Sequence, residues 1–321
     1  MSGFSYQRAS DPAGALIHGA LPGSAFIAGG TDVLPLWKLG VQTPTQLVDI
    51  SRLKLDEITP VDSGVMIGAL ARLSDVARHP ATHPLVAEAI LASASGQIRN
   101  MATMGGNLLQ RTRCTYFRAI DLPCNKREPG SGCGAITGEN RSAAVFGTSA
   151  ACVATHPSDL AVALAVFDAE LDILGPTGTR RTKLVNFYRL PGDAPDRETN
   201  LAHGELITGI FVPHARGAST YLKIRDRASF EFAVVSVAAC LRVENGSITT
   251  ARLAAGGVAP MPWRLAGTEA ALIGQSPSSA TFAAAAALAV EGAKPLVQNG
   301  FKIELLRRAV LRALTTIGGQ A

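Results

Sequence analysis

The stretch TMGGNLLQRTRC, residues 103–114, decides how this chain is read. It sets adjacent glycines, Gly105 and Gly106, between a hydroxyl and an amide side chain, then runs into arginines and a cysteine. Glycine lets backbone approach a ligand closely and turn successive N–H groups on it, which suits a pyrophosphate. A second pair in the same chemical setting, Gly29 and Gly30, lies upstream in IAGGTD (27–32). Either pair alone also reads as an ordinary turn. Neither fits GxGxxG or GxxxxGK[ST], so no Rossmann or P-loop site is supported.

Working outward, SAFIAGGTDVL, TQLVDIS and GVMIGAL within residues 24–70 alternate apolar runs with turn residues and predict short strands, the glycine pair closing the first. SDVARHPATHPLVAEAILASASG has helical spacing, with Leu85, Ala89 and Ala92 on one stripe and Gly96 as its stop. HPSDLAVALAVFDAELDILGP predicts a helix capped near Ser158 and then a strand, and ELITGIFVP predicts another strand. From Tyr221 onward a meander turns at Asn245-Gly246, and helices follow at 279–292 and 302–317, the last stopped by Gly318-Gly319. HARGAS (214–219) reads as a linker between an N-terminal α+β unit, 1–215, and a C-terminal sheet-and-helix unit, 216–321.

With 321 residues, the chain suits two or three domains. The N-terminus lacks a basic segment followed by an apolar run, so no secretory signal is expected and a cytoplasmic location follows, with co-export on a signal-bearing partner left open. No apolar run is long enough for a membrane span. The net charge of +5 comes from scattered lysines and arginines without an interleaved aromatic platform, which argues against nucleic acid. There is no HExxH and no GxSxG, and prolines at 80 and 84 break the continuous helix that would set His79 and His83 on one metal-binding face. The missing nucleophile and base fit a protein whose chemistry is carried by a cofactor.

Residues 107–152 are poor in aliphatic side chains and too long for a plain connection, so a ligand should order them. They hold Cys114, Cys124 and Cys133 and end at Cys152, spaced C-x9-C-x8-C-x18-C; Cys240 lies in an apolar strand and reads as a buried thiol. Disulfides belong to small secreted domains, which this is not. Four thiolates also suit zinc, though the usual close pairs are missing, or an iron–sulfur cluster, with Arg111, Arg113, Arg118, Lys126 and Arg127 offsetting its charge. Spacing alone leaves zinc and cluster level.

Taken in order, AGGTDVLPLWKLG, TMGGNLLQRTRC and HPSDLAVAL resemble the FAD-binding subunit of the xanthine dehydrogenase family of molybdenum hydroxylases over nearly the whole chain. The resemblance implies an α+β fold of the vanillyl-alcohol-oxidase type (PCMH): two α/β subdomains holding FAD, then a C-terminal domain of sheet and helices. It places Ala28, Gly29, Gly30, Thr31, Asp32, Val33 and Leu34 around the FAD diphosphate through backbone amides. Thr103, Gly105, Gly106 and Asn107 form the second wall, and Asp159, Ile207 and Lys223 fall at further cofactor positions. LLQRTRC, CNKR and ACVATHPSD are similar to a subgroup of bacterial aldehyde oxidoreductases with an inserted [4Fe–4S] cluster. That similarity assigns Cys114, Cys124, Cys133 and Cys152 as its ligands, in an insertion at about 108–152.

The resemblance further implies an electron-transfer subunit of an aldehyde-oxidising heterotrimer. Its partners would be a large subunit with the molybdenum cofactor and a small subunit with two [2Fe–2S] clusters, and electrons would leave FAD for an external acceptor. A flavin subunit of a xanthine or N-heterocycle dehydrogenase, a self-sufficient flavin oxidase of the same fold, and a flavin-free zinc scaffold are the competing readings.

Overall fold

A computed structural model describes residues 3–319. Three four-residue strands, β1 (Ser5–Arg8), β2 (Ser24–Ile27) and β3 (Gln46–Asp49), pair in parallel in the order β1-β3-β2. Parallel neighbours need a crossover. The first is α1 (Pro12–Gly19), opened by Asp11, whose carboxylate accepts from Gly14 N–H, and by Pro12 in the first turn. The second starts with α2 (Val33–Lys38), directly after the first glycine pair.

The second sheet is antiparallel. Its strands β4 (Ile58–Val61), β5 (Gly64–Gly68), β6 (Glu170–Gly175), β7 (Gly178–Lys183) and β8 (Leu206–Pro213) take the order β4-β5-β8-β6-β7. Between β5 and β6 run α3 (Leu73–Arg78), α4 (Pro84–Ala92), α5 (Gly96–Arg99), α6 (Met104–Leu108), α7 (Thr115–Arg118) and α8 (Asp159–Val166); α9 (Leu184–Phe187) precedes β8. Every residue of α8 is buried. A helix apolar all round belongs in the interior, and α8 packs against α4, α6 and the third sheet. Its cap is the expected one, the Ser158 hydroxyl accepting from Ala161 N–H at 3.0 Å.

The third sheet is the meander β9 (Ala218–Ile224), β10 (Val235–Glu244), β11 (Ser247–Gly256) and β12 (Trp263–Arg264). Asn245 and Gly246 make the tight turn with φ of 52° and 75°. Both faces of β10 are covered. Val237, Ala239 and Leu241 face a core built with α10 (Ala266–Leu272), α11 (Ser279–Leu288) and α12 (Phe301–Gly318), while Ala238 and Cys240 join the core around α8. Cys240 is thus a buried structural thiol, as expected.

Four expectations need correction. The helical stretch before residue 96 is two helices, because Pro80 and Pro84 cannot sit inside one. Gly96 does not stop α4; that helix ends at Ala92, Ala94 takes a positive φ of 47°, and Gly96 begins α5. The expected linker is shorter than 214–219, since Ala218 and Ser219 are already in β9. The helix expected at 279–292 ends at Leu288, before Gly292, whose φ is +76°.

Candidate functional site

Between β2 and α2 the first glycine loop presents a run of N–H groups. Those of Gly29, Gly30, Thr31, Asp32 and Val33 meet no acceptor among the described residues, and α2 has no side-chain cap. Helix N-termini of this kind attract anions. The loop is held by contact. A Cβ on Gly29 would lie 1.8 Å from the Met101 carbonyl oxygen, and Gly30 has φ +71°.

Residues 103–107 supply shape instead of donors. Met104 N–H donates to Ala71, Gly105 N–H to Ala69, and Gly106 N–H to the Thr103 hydroxyl. Gly105 lies flat on Ala69, where a Cβ would come within 3.1 Å of the alanine methyl. The two glycine loops therefore divide the work: one donates and the other admits close approach.

Between them runs a cleft of two lobes that share Thr31, Asp32 and Gly106. One lobe, of about 230 Å³, is lined by Phe26, Ile50, Leu70 and Ile207 together with the glycines. The other, of about 320 Å³, is lined by Asn107, Arg113, Asp159, Lys223 and Phe232. All the sequence-predicted cofactor positions except Leu34 border one lobe or the other; Leu34 is exposed on α2 beside Gly30.

Asp159 and Lys223 form a buried ion pair, Nζ to Oδ2 2.8 Å, with each side chain 4% exposed. The Tyr221 hydroxyl donates to the other carboxylate oxygen at 2.6 Å, and Lys223 also donates to Ala92 O at 3.1 Å. Burial pushes the Asp159 carboxyl above its ordinary value, against the pull of Lys223 and Tyr221. Tyr221 carried no sequence signal, since it faces Asp159 only because α8 packs on the sheet that β9 joins beside β10. Ser158 adds a link by donating to the Asn107 side chain at 2.6 Å, which ties the α8 cap to the second glycine loop.

The Asp32 side chain points to the cysteine-rich segment. It accepts from Arg111 N–H (2.7 Å), the Arg113 guanidinium (2.7 Å) and the Arg118 guanidinium (3.2 Å).

Cys114, Cys124, Cys133 and Cys152 line one small cavity, although they are scattered along the chain. Local chemistry explains the convergence. Cys124 and Cys133 face each other across an antiparallel bridge, and the Asn125 carboxamide accepts from Gly130 and Gly132 N–H, glycines with φ of 90° and 95°. Arg127, in the turn after that bridge, ties it to α7 by donating to the carbonyls of Tyr116, Phe117 and Ala119. All five cysteines are free. Burial raises the Cys114 thiol, and raises Cys152 to about 11 against the opposing effect of Lys126. Among the described residues no three His, Cys, Asp or Glu side chains are close enough to hold a single metal ion.

The expected surround of cations is thinner than the sequence suggests. Arg113 and Arg118 are engaged by Asp32, Arg111 by Glu198, and Arg127 by carbonyls. Lys126 alone of the five borders the thiol cavity, and it also binds Glu198 and the Pro195 carbonyl. Glu198 lies 72 residues from Lys126, and nothing in its local sequence marks it. His156, between Cys152 and α8, is edge-on to Tyr188 at 4.6 Å, and burial lowers its pKa to about 4.

A family model described as the FAD binding domain in molybdopterin dehydrogenase matches residues 2–215, and one for the CO dehydrogenase flavoprotein C-terminal domain matches residues 220–317. The chain belongs to the FAD-binding subunits of the molybdenum hydroxylase family. It is therefore an oxidoreductase subunit whose cofactor is FAD, and the free N–H run, the close glycine packing and the two lobes fit that dinucleotide. It is 44% identical to the aldehyde oxidoreductase FAD-binding subunit PaoB of Escherichia coli (strain K12), across 100% of both chains. It is 28% identical to the glyceraldehyde dehydrogenase medium chain of Sulfolobus acidocaldarius, covering 78% of this chain and 73% of that one. Among solved structures, carbon monoxide dehydrogenase from Hydrogenophaga pseudoflava superposes with a TM-score of 0.76 at 26% identity, covering 100% of this chain and 99% of that one. The Oligotropha carboxidovorans enzyme gives 0.78 at 21% identity, covering 100% and 99%, and supports the fold. The PCMH-type α+β fold expected from the sequence is the one found. Among the described residues no helix is long and apolar enough to cross a membrane.

Proposed function

We propose that this chain is the FAD- and [4Fe–4S]-containing electron-transfer subunit of a molybdenum-dependent aldehyde oxidoreductase. The observation that carries the reading is the presence, in one chain, of a two-lobed dinucleotide cleft and a cavity ringed by four cysteines. Full-length similarity to an aldehyde oxidoreductase FAD-binding subunit supplies the substrate class.

FAD, when bound, supplies two-electron chemistry with stepwise exchange to iron–sulfur centres. This chain's own residues bind and position it. The N–H groups of 29–33 hold the diphosphate, Gly105 and Gly106 keep the opposite wall low, and Ile207 borders the first lobe. Asn107, Asp159 and Lys223 border the second lobe, with the Lys223 ammonium held by Asp159. Cys114, Cys124, Cys133 and Cys152 hold the cluster within an insertion at about 108–152 of an FAD domain, 1–215, followed by a second domain, 216–321. Substrate binds elsewhere, on a large partner with the molybdenum cofactor. A small partner with two [2Fe–2S] clusters completes a heterotrimer, and electrons leave this chain for an external acceptor.

Purification of the native assembly with joint measurement of FAD, iron, zinc and molybdenum tests the reading. One FAD, one molybdenum and about eight iron atoms per heterotrimer are expected, four of the iron atoms on this subunit and four in the small partner's two [2Fe–2S] clusters. A flavin-free or zinc-bearing chain would overturn it.

A further inference from the structure

Asp32 sits at the N-cap of α2, where an aspartate ordinarily accepts from its own helix. Here it caps nothing. Its carboxylate instead accepts from three donors of the cysteine-rich segment, about eighty residues away: Arg111 N–H, Arg113 and Arg118. The two guanidinium donors lie on either side of Cys114, with Arg113 peptide-bonded to it and Arg118 at the end of the four-residue α7 that Cys114 opens. Arg113 is also fixed by Arg111 O at 2.6 Å and by the face of Phe232, 4.7 Å from the ring centre. Both Arg113 and Asp32 border the second lobe of the cleft.

From this arrangement we infer that Arg113 and Asp32 form a clamp through which the thiol site sets the affinity of the flavin site. The inference rests on the cluster reading above. Anchoring Cys114 fixes the backbone on either side of it, the two arginines hold Asp32, and Asp32 holds the loop whose N–H groups face the diphosphate. Without the cluster, Cys114 is released and the clamp slackens; without the clamp, the cluster has no hold on the loop. Arg113 acts through Asp32 and is a positioning residue.

The test uses the full chain under anaerobic conditions, with FAD affinity read from quenching of flavin fluorescence and iron counted per chain. Four samples are compared with the wild type: Arg113→Met, Asp32→Asn, the double variant, and wild type stripped of iron by a chelator. Each single variant should weaken FAD binding about tenfold, the size of one charged hydrogen bond, with iron content unchanged. The double variant should be no weaker than the weaker single one. Chelation should weaken wild type by a similar factor while leaving the affinity of Arg113→Met unaltered. FAD affinity within twofold of wild type in Arg113→Met, or single effects that multiply in the double variant, would overturn the clamp while iron content upholds the cluster. A wild-type chain that binds FAD but no iron would instead remove the cluster reading, and the inference with it.

Discussion

Replacing Lys223 by Met is the most direct probe of the α8 terminus. Lys223 and Asp159 are each 4% exposed and 2.8 Å apart, so the substitution leaves a carboxylate in the interior without its cation. Breaking a buried pair from one side costs about 3–5 kcal/mol. The Tyr221 hydroxyl still donates to Asp159, and the start of α8 contributes its favourable end, so a loss near 3 kcal/mol is expected, at the low end of that range. Against a total of about 5–15 kcal/mol for a domain, this is large. Urea unfolding followed by the fluorescence of Trp37 and Trp263 measures it. The loss should depend on pH. Burial already raises Asp159, and removing Lys223 raises it further. With the folded-state pKa above the unfolded one, folding takes up a proton, so the deficit is smallest in mild acid and grows as pH rises through the folded-state value. Asp159→Asn added to Lys223→Met should restore much of the stability. A deficit below about 1 kcal/mol, or an equal deficit at pH 5 and pH 8, would refute a buried charge pair.

Gly29→Ala should yield a chain that does not retain FAD, because the new methyl meets the Met101 carbonyl at 1.8 Å and backbone cannot step aside; full flavin absorbance would contradict this. Gly106→Val should lose FAD as well, by filling the floor of the cleft and crowding the Thr103 hydroxyl, 2.9 Å from its Cβ. In Cys124→Ser, iron content should fall while part of the flavin stays bound; unchanged iron would refute the ligand assignment. Burial pushes the Asp49 carboxyl up but is outweighed by hydrogen bonds from Ser51, Tyr6 and Arg8, which hold it well below the usual carboxylate range. Its folded-state pKa being depressed, its contribution is present above the unfolded value and fades as pH falls through the folded one, so Asp49→Asn should flatten the acid limb of a stability profile.

Glycine pairs, cysteine spacing and the caps of α8 and the β10–β11 turn were legible from residues 27–32, 103–107, 114–152, 158 and 245–246, because each depends on backbone freedom or chemistry local in sequence. The helix break at 79–84 was half legible: the prolines announced it, yet the apolar stripe continued across them. Strand β7, GTRRTK, carried no apolar signal, since it is an edge strand whose residues mostly face solvent. What residues near the site do with their charges was not legible at all. Arg113 and Arg118 stand beside a cysteine in the sequence, and proximity suggested that they serve the thiols; in space they bind Asp32, and Lys126 alone of the five basic residues borders the thiol cavity. The sequence by itself determined which residues are able to bend, cap or ligate, because those properties belong to a side chain and its immediate neighbours. Only the tertiary structure decided which distant groups meet, Asp159 with Tyr221 and Lys223, or Glu198 with Lys126, because a charge pairs with whatever the packing of separate sheets and helices brings within about 3 Å of it.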